Sequence, residues 1–131
     1  QKLILTENEV EKIYKQNKVY AYTYKGRDYR YQKAEKLLDE RGYFAVKDTS
    51  GLIIYTQRSG GTYNSVLNYY YSVGKTSKIK LLNVKNLEVD FPGTQFVESC
   101  QAIVKRLTSQ SEDSALSSLM EINNLFRKHL G

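Results

Sequence analysis

Residues 19–33, VYAYTYKGRDYRYQK, combine two alternating runs with a turn sequence between them. A tyrosine stands at every second position of each run: Tyr20, Tyr22, Tyr24, Tyr29 and Tyr31. A period of two is typical of a strand whose two faces meet different surroundings. Between the runs, Gly26 suits the first central position of a type II′ turn, which requires a positive φ. The sequence therefore predicts a β-hairpin.

The predicted turn also fixes which residues face each other across the hairpin. The pairs it predicts are Lys25–Asp28, Tyr24–Tyr29, Thr23–Arg30, Tyr22–Tyr31 and Ala21–Gln32. All five tyrosines then share one face of the hairpin, because opposite residues of an antiparallel pair point to the same side. Each aromatic cross-strand pair stabilises a sheet by about 0.2–1 kcal/mol.

The tyrosine face has two interpretations. In the first, the rings pack on the core and their hydroxyls reach water or carbonyl groups at the rim. In the second, the face is exposed and stacks on single-stranded bases while nearby Lys and Arg bind phosphates. An isolated hairpin is marginally stable and needs a surface to pack on, which favours the first. Both can hold at the edge of a sheet.

A second hairpin and two C-terminal helices are predicted from equally local signals. Residues 43–47 and 52–56 are apolar runs joined by Asp48-Thr49-Ser50-Gly51, a strong turn sequence, and are expected to form two central strands. Thr94 is the predicted N-cap of one helix and Ser111 that of the next. Their apolar stripes are predicted to face the core: Phe96, Val97, Cys100, Ile103, Val104 and Leu107, then Leu116, Leu119, Met120, Asn123, Phe126 and Leu130.

The remaining elements are predicted from weaker patterns. A capping box at Thr6 predicts a short helix to about residue 16. Residues 34–41 predict a helix that ends at Gly42. Residues 63–71 are predicted to form a helix from their spacing, although their composition favours a strand. Residues 75–90 suggest one or two strands.

Together these elements predict one α+β domain over residues 1–131. The expected architecture is an antiparallel sheet of two β-hairpins plus one or two further strands, packed against helices that include a C-terminal helical pair. A sheet-rich, basic part spans about residues 1–90 and a helical part about residues 94–131. A chain of 131 residues with 40% hydrophobic residues can bury a substantial core.

Charge is the strongest compositional signal. The chain carries a net charge of +6, and residues 12–41 hold nine Lys and Arg against four Asp and Glu. From residue 91 onwards the two signs balance at four each. A basic excess confined to one part favours a nucleic-acid or other anionic partner.

The residue inventory argues against most enzyme chemistry. One Cys and one His exclude an intrachain disulfide and a zinc site built from Cys and His. His129 lies far in sequence from any candidate nucleophile, and no phosphate-binding glycine motif is present. We therefore expect no catalytic residues, no metal and no cofactor.

The sequence shows no apolar run near the roughly 20 residues that span a bilayer, and no signal peptide. These features favour an intracellular location, in the cytoplasm or nucleus. The chain starts with Gln1 rather than Met, which is also compatible with a targeting segment removed from before it.

The sequence favours a non-enzymatic nucleic-acid-binding module, for DNA or RNA, over a protein–protein interaction or scaffolding domain of a larger regulatory or viral protein. A phosphoinositide-binding domain ranks third. Expected phosphate contacts are Lys25, Arg27, Arg30, Lys33, Lys75, Lys78 and Lys80. Expected stacking residues are Tyr20, Tyr22, Tyr29 and Tyr31. In the interaction alternative, the tyrosine face or the last helix binds a protein partner.

Overall fold

A computed structural model describes residues 10–16, 19–33, 40–60 and 66–131. These residues form an antiparallel sheet of six longer strands and one two-residue strand, followed by three helices. The strands are β1 Val10–Gln16, β2 Val19–Tyr24, β3 Arg27–Gln32, β4 Gly42–Asp48, β5 Ile53–Ser59, β6 Val66–Ser72 and β7 Lys80–Leu81. The helices are α1 Val84–Asp90, α2 Gln95–Arg106 and α3 Glu112–Leu130. The predicted α+β class is confirmed.

The strands lie in chain order across the sheet, from β1 to β7. One side of the sheet, here called the helix face, contributes Leu52, Ile54, Tyr69 and Tyr71 to a core shared with all three helices. The other side, the loop face, carries a second cluster of Phe44, Ile53, Tyr55, Tyr70 and Ile79. Strand β5 is therefore buried on both faces and β4 on the loop face, and the two strands lie in the middle of the sheet as predicted.

The first hairpin forms with a different turn from the one predicted. Its two loop residues, Lys25 and Gly26, both have positive φ, 51° and 76°, which defines a type I′ turn. Tyr24 pairs with Arg27, Tyr22 with Tyr29 and Tyr20 with Tyr31. The predicted type II′ turn is wrong, and the predicted pairing of the two strands is displaced by one residue on each strand. Two tyrosine pairs therefore remain, but with new partners, and Tyr24 faces Arg27 instead of Tyr29.

The connection between β6 and β7 covers the loop face. The side-chain amide of Gln32 forms two hydrogen bonds with the backbone of Ile79, as a paired residue of a neighbouring strand does. Its Oε1 accepts from Ile79 N at 2.7 Å and its Nε2 donates to Ile79 O at 3.1 Å. Two residues earlier on β3, Arg30 Nη1 donates to Lys75 O at 2.6 Å. These bonds hold residues 73–79 against the sheet.

Other sequence predictions need correction. Residues 10–16 are strand β1 rather than a helix, and Thr6 lies outside the described residues. Residues 66–72 are strand β6, as their composition indicated, and the predicted helix there is wrong. Residues 75–90 contain β7 and the helix α1, whose N-cap Asn83 accepts from Asn86 N at 2.7 Å.

The predicted helix at residues 34–41 falls mostly outside the described residues. Its last two positions, Glu40 and Arg41, have no helical structure. Gly42 opens β4 with a φ of +106° instead of ending a helix.

The two C-terminal helices begin where their caps predicted. Thr94 Oγ1 accepts from Val97 N and Ser111 Oγ accepts from Ser114 N, at 3.4 and 3.2 Å. The predicted inward positions of Leu116, Met120 and Leu130 are wrong: these side chains are 43%, 50% and 39% exposed. The face of α3 that packs on the sheet instead carries Ala115, Leu119 and Ile122. Within the described residues, no helix combines the length and apolar character needed to cross a bilayer.

Candidate nucleic-acid interface

An open groove of about 620 Å³ lies between strands β2–β6 and the start of α3. We call it the tyrosine groove and define it by its aromatic and charged lining residues: Tyr24, Tyr29, Tyr43, Arg27, Lys47, Arg58 and Glu112. Its volume falls within the range of small-molecule and cofactor sites. Smaller side chains, among them Ala45 and Thr56, complete the lining.

The register of the sheet explains why these residues meet. Tyr29 pairs with Ala45, Ala45 with Thr56 and Thr56 with Tyr69. Tyr69 packs in the core under the helices, so the whole row lies on the helix face. Arg27, Tyr43 and Lys47 occupy alternate positions of the same strands and share this face.

The tyrosines of this face divide between core and surface. Tyr31 is 5% exposed and packs on Tyr43, with ring centroids 4.9 Å apart. Tyr43 is itself 46% exposed, and Tyr24 and Tyr29 are half-buried. The Tyr24 and Tyr29 rings meet edge to face at 6.4 Å, as diagonal neighbours across the hairpin. Tyr31 is therefore buried, as the first interpretation expects, while Tyr24, Tyr29 and Tyr43 leave part of their rings accessible in the groove.

The charged residues of the groove are three cations and one carboxylate. Arg27 precedes Tyr29 on β3 and Lys47 follows Ala45 on β4, so both lie at the hairpin-tip end. Arg58 lies at the end of β5, where its Nη2 is 3.0 Å from Glu112 Oε1. Just outside the groove, Lys25 Nζ lies 5.2 Å from the centre of the Tyr24 ring. Cationic side chains therefore lie at both ends of the groove, and the one at the Arg58 end is paired with a carboxylate.

Arg30, one of the expected phosphate contacts, is buried. The residue is 7% exposed on the loop face, and its guanidinium lies 5.8 Å from the Tyr55 ring centre. The alternation that places Tyr29 and Tyr31 on the helix face necessarily places Arg30 on the opposite one. Its bond to Lys75 O makes it part of the fold rather than a surface phosphate contact.

The predicted lysines do not gather at the groove. Lys75 and Lys78 are exposed on the segment that covers the loop face, on the other side of the sheet. Lys80 forms an ion pair with Asp90, Nζ to Oδ1 at 2.7 Å. Lys33 is exposed directly after β3.

Among the predicted stacking residues, Tyr29 lies in the groove and Tyr31 lies under Tyr43. Tyr20 and Tyr22 belong to β2, opposite Tyr31 and Tyr29. Their side chains lie outside what the structure describes.

Sequence reasoning missed Tyr43, Lys47, Arg58 and Glu112. The signal for the first two was available, since Tyr43, Ala45 and Lys47 alternate on the second hairpin as the tyrosines do on the first. Arg58 and Glu112 come from β5 and α3, and only their tertiary contact places them here.

Other reactive side chains of the described residues are engaged elsewhere. Tyr71 donates its hydroxyl to Asp90 Oδ2 at 2.5 Å, and burial, followed by Asp90, raises the pKa of this tyrosine. Burial, with Glu121 adding to the effect, raises the pKa of Cys100 to about 12. Among the described residues, no three Cys, His, Asp or Glu side chains group to hold a metal ion.

No family model, no curated protein and no solved structure matches this chain.

Proposed function

We propose that the protein is a non-enzymatic module that binds single-stranded nucleic acid, DNA or RNA, in the tyrosine groove. One observation carries the proposal: accessible tyrosine rings and three cationic side chains line the same open groove. Proteins that bind single strands combine aromatic rings that stack on bases with basic residues that follow the backbone.

Tyr43 is the main stacking candidate, because it is the most exposed aromatic residue of the groove at 46%. Its ring is held from below by the buried Tyr31, so little side-chain freedom is lost when a base stacks on it. Tyr29, held by Tyr24, offers a second ring. Stacking on such a ring contributes roughly 1–3 kcal/mol per base.

The positions of the cations favour an oligonucleotide over a mononucleotide. Arg27 and Lys47 lie at one end, while Arg58 lies beyond Thr56, in the direction of Tyr31 and Tyr43. Arg27 and Tyr31 are four residues apart on β3, a distance of about 13 Å along the strand. One phosphate cannot contact both ends, whereas successive phosphates of a strand can.

The net charge of +6 would raise the local concentration of such a ligand. The exposed Lys33, Lys75 and Lys78 contribute to this field from outside the groove. An intracellular site of action, in the cytoplasm or nucleus, is part of the proposal because nucleic-acid ligands occur there.

The test is fluorescence anisotropy with labelled oligothymidylate and oligouridylate over a range of salt concentrations. Three phosphate contacts predict a log–log salt dependence of about −2, since each contact on a single strand contributes about −0.7. Tyr43→Ala should weaken binding about tenfold with the fold intact, as expected for the loss of one stacked base.

Charge reversal of Arg27 has a matched control in Lys85→Glu. Lys85 is exposed in the first turn of α1, away from the groove, where a carboxylate is well tolerated. Arg27→Glu should weaken binding at least tenfold and Lys85→Glu far less. Equal effects, or no binding of either oligonucleotide at low salt, would show that the proposal is wrong.

A second candidate function is a protein–protein interaction domain. Its specific support is the pair Leu116 and Met120, one turn apart on α3 and 43% and 50% exposed. Met120→Glu should then abolish association with a partner, or self-association measured by sedimentation velocity, without changing oligonucleotide binding. The nucleic-acid proposal predicts the opposite pattern for Tyr43→Ala.

A further inference from the structure

We infer that Glu112 is an intramolecular competitor for the phosphate-binding position at Arg58, and that it thereby limits the affinity of the tyrosine groove. This inference rests on the proposed function. It assigns to the groove a residue that restrains binding, in addition to the residues that promote it.

The geometry places Glu112 where a ligand phosphate would lie. Its Oε1 is 3.0 Å from Arg58 Nη2, and both residues line the groove. Glu112 is the first residue of α3, directly after the N-cap Ser111. The helix dipole favours a carboxylate there, so the protein holds a negative charge at the end of an otherwise cationic groove.

The pair is weak enough for a ligand to displace. Its two side chains are 56% and 54% exposed, and exposed ion pairs contribute only about 0–1 kcal/mol. The hydrogen bond to Glu112 uses one of the five N–H donors of the guanidinium. A phosphate can bind Arg58 with two parallel hydrogen bonds, which is the stronger arrangement.

The pair is not needed to hold α3 on the sheet. Ala115, Leu119 and Ile122 are buried in the core, and Asn123 is hydrogen-bonded to the backbone of Leu52. Loss of the Glu112 charge should therefore leave the helix in place. The carboxylate acts on the groove, because a bound phosphate must either displace it or remain beside a like charge.

The structure supplies a matched control. Glu121 is also on α3, pairs with Arg106 at 2.8 Å, and has similarly exposed partners at 46% and 52%. Glu121 does not line the groove. Glu112→Gln and Glu121→Gln thus remove the same charge from the same helix, and each breaks one exposed Arg–Glu pair.

The experiment measures the Kd of labelled oligothymidylate at low salt for the wild type, Glu112→Gln and Glu121→Gln. The same measurement is made on Arg58→Gln and on the double variant Arg58→Gln/Glu112→Gln. Glu112→Gln should tighten binding about threefold or more, and Glu121→Gln by clearly less. In the Arg58→Gln background, Glu112→Gln should lose most of its effect, because the carboxylate acts through Arg58.

A Glu112→Gln variant that binds like Glu121→Gln, or more weakly than the wild type, overturns the inference while the proposed function stands. An equal gain with and without Arg58 also overturns it and indicates a general charge effect. If the wild type binds no oligonucleotide, the proposed function itself is wrong and the inference with it. Thermal unfolding of each variant verifies that the fold is retained.

Discussion

Asn123, in the middle of α3, is hydrogen-bonded to both backbone groups of Leu52, which lies 71 residues earlier in the chain. Leu52 N donates to Asn123 Oδ1 at 2.8 Å, and Asn123 Nδ2 donates to Leu52 O at 2.9 Å. The same Nδ2 donates to Asp48 Oδ2 at 2.6 Å. Asn123 is fully buried, so one polar side chain joins the last helix to the turn of the central hairpin.

We predict that Asn123→Ala lowers the free energy of unfolding by about 1–3 kcal/mol, because the buried backbone groups of Leu52 lose their partners. Chemical denaturation measures the change. Asn124→Ala, at the exposed neighbouring position, is the control and should stay within about 0.5 kcal/mol. Equal effects of the two substitutions would contradict a structural role for the buried amide.

The type I′ turn predicts a conformational penalty at Gly26. Its φ is +76°, and an added Cβ would meet nothing within 4 Å. Gly26→Ala should therefore destabilise the protein by about 1 kcal/mol through backbone strain alone.

Gly74→Ala is the comparison for that prediction, since Gly74 lies outside the positive-φ region and its nearest atom would be Ser77 Oγ at 3.5 Å. That change should be neutral or slightly stabilising in thermal denaturation. A neutral Gly26→Ala would rule out the I′ turn.

Core packing predicts a large difference between two residues that the sequence analysis treated alike. Phe96 is fully buried and meets Phe91 and Phe126 edge to face, both at 5.5 Å. Phe96→Ala should cost about 3–5 kcal/mol. Leu116→Ala, at a position that is 43% exposed, should change stability by about 0.5 kcal/mol or less. Urea titration of both variants measures the difference.

Stability should fall at alkaline pH. Burial raises the pKa of Cys100 from 9.0 to about 12 and also raises the pKa of Tyr55. Burial favours the neutral form of both groups in the folded protein. Their contribution to the free energy of unfolding is therefore fully present below the ordinary thiol pKa and is lost as pH rises from about 9 towards 12.

The free energy of unfolding, measured by denaturation at a series of pH values, should therefore decline above about pH 9. Cys100→Ala should make that decline shallower, whatever its effect at neutral pH. Identical slopes in the two proteins would show that the thiol does not contribute.

How far the sequence predicts this fold depends on how local the signal is. Asp48–Gly51 and the caps Thr94 and Ser111 act within a few residues, and the elements they predict form as expected. Residues 10–16 fit a helical pattern equally well, but pairing with β2 makes them a strand. A short segment adopts the secondary structure that lets it pair or pack with its neighbours in the fold. The periodicity of a single sequence does not contain that information.

The candidate site shows the same limit. Alternation correctly separated Tyr29 and Tyr31 from Arg30, whereas Arg27 was assigned to the turn and is instead part of β3 on the tyrosine face. The groove needs β4, β5 and α3 as well as the first hairpin. Arg58 and Glu112 reach it through sheet register and helix packing, which no local motif contains.

The link between Leu52 and Asn123 also bears on the order of events during synthesis on the ribosome. The strands emerge before the helices that cover them, so Ile54, Tyr69 and Tyr71 lack their core partners until α2 and α3 have been made. During that interval the nascent sheet presents an apolar face, the kind of surface that chaperones bind and that promotes aggregation. The turn of the central hairpin thus gains its hydrogen bonds to α3 only once Asn123 has been made, 71 residues after Leu52.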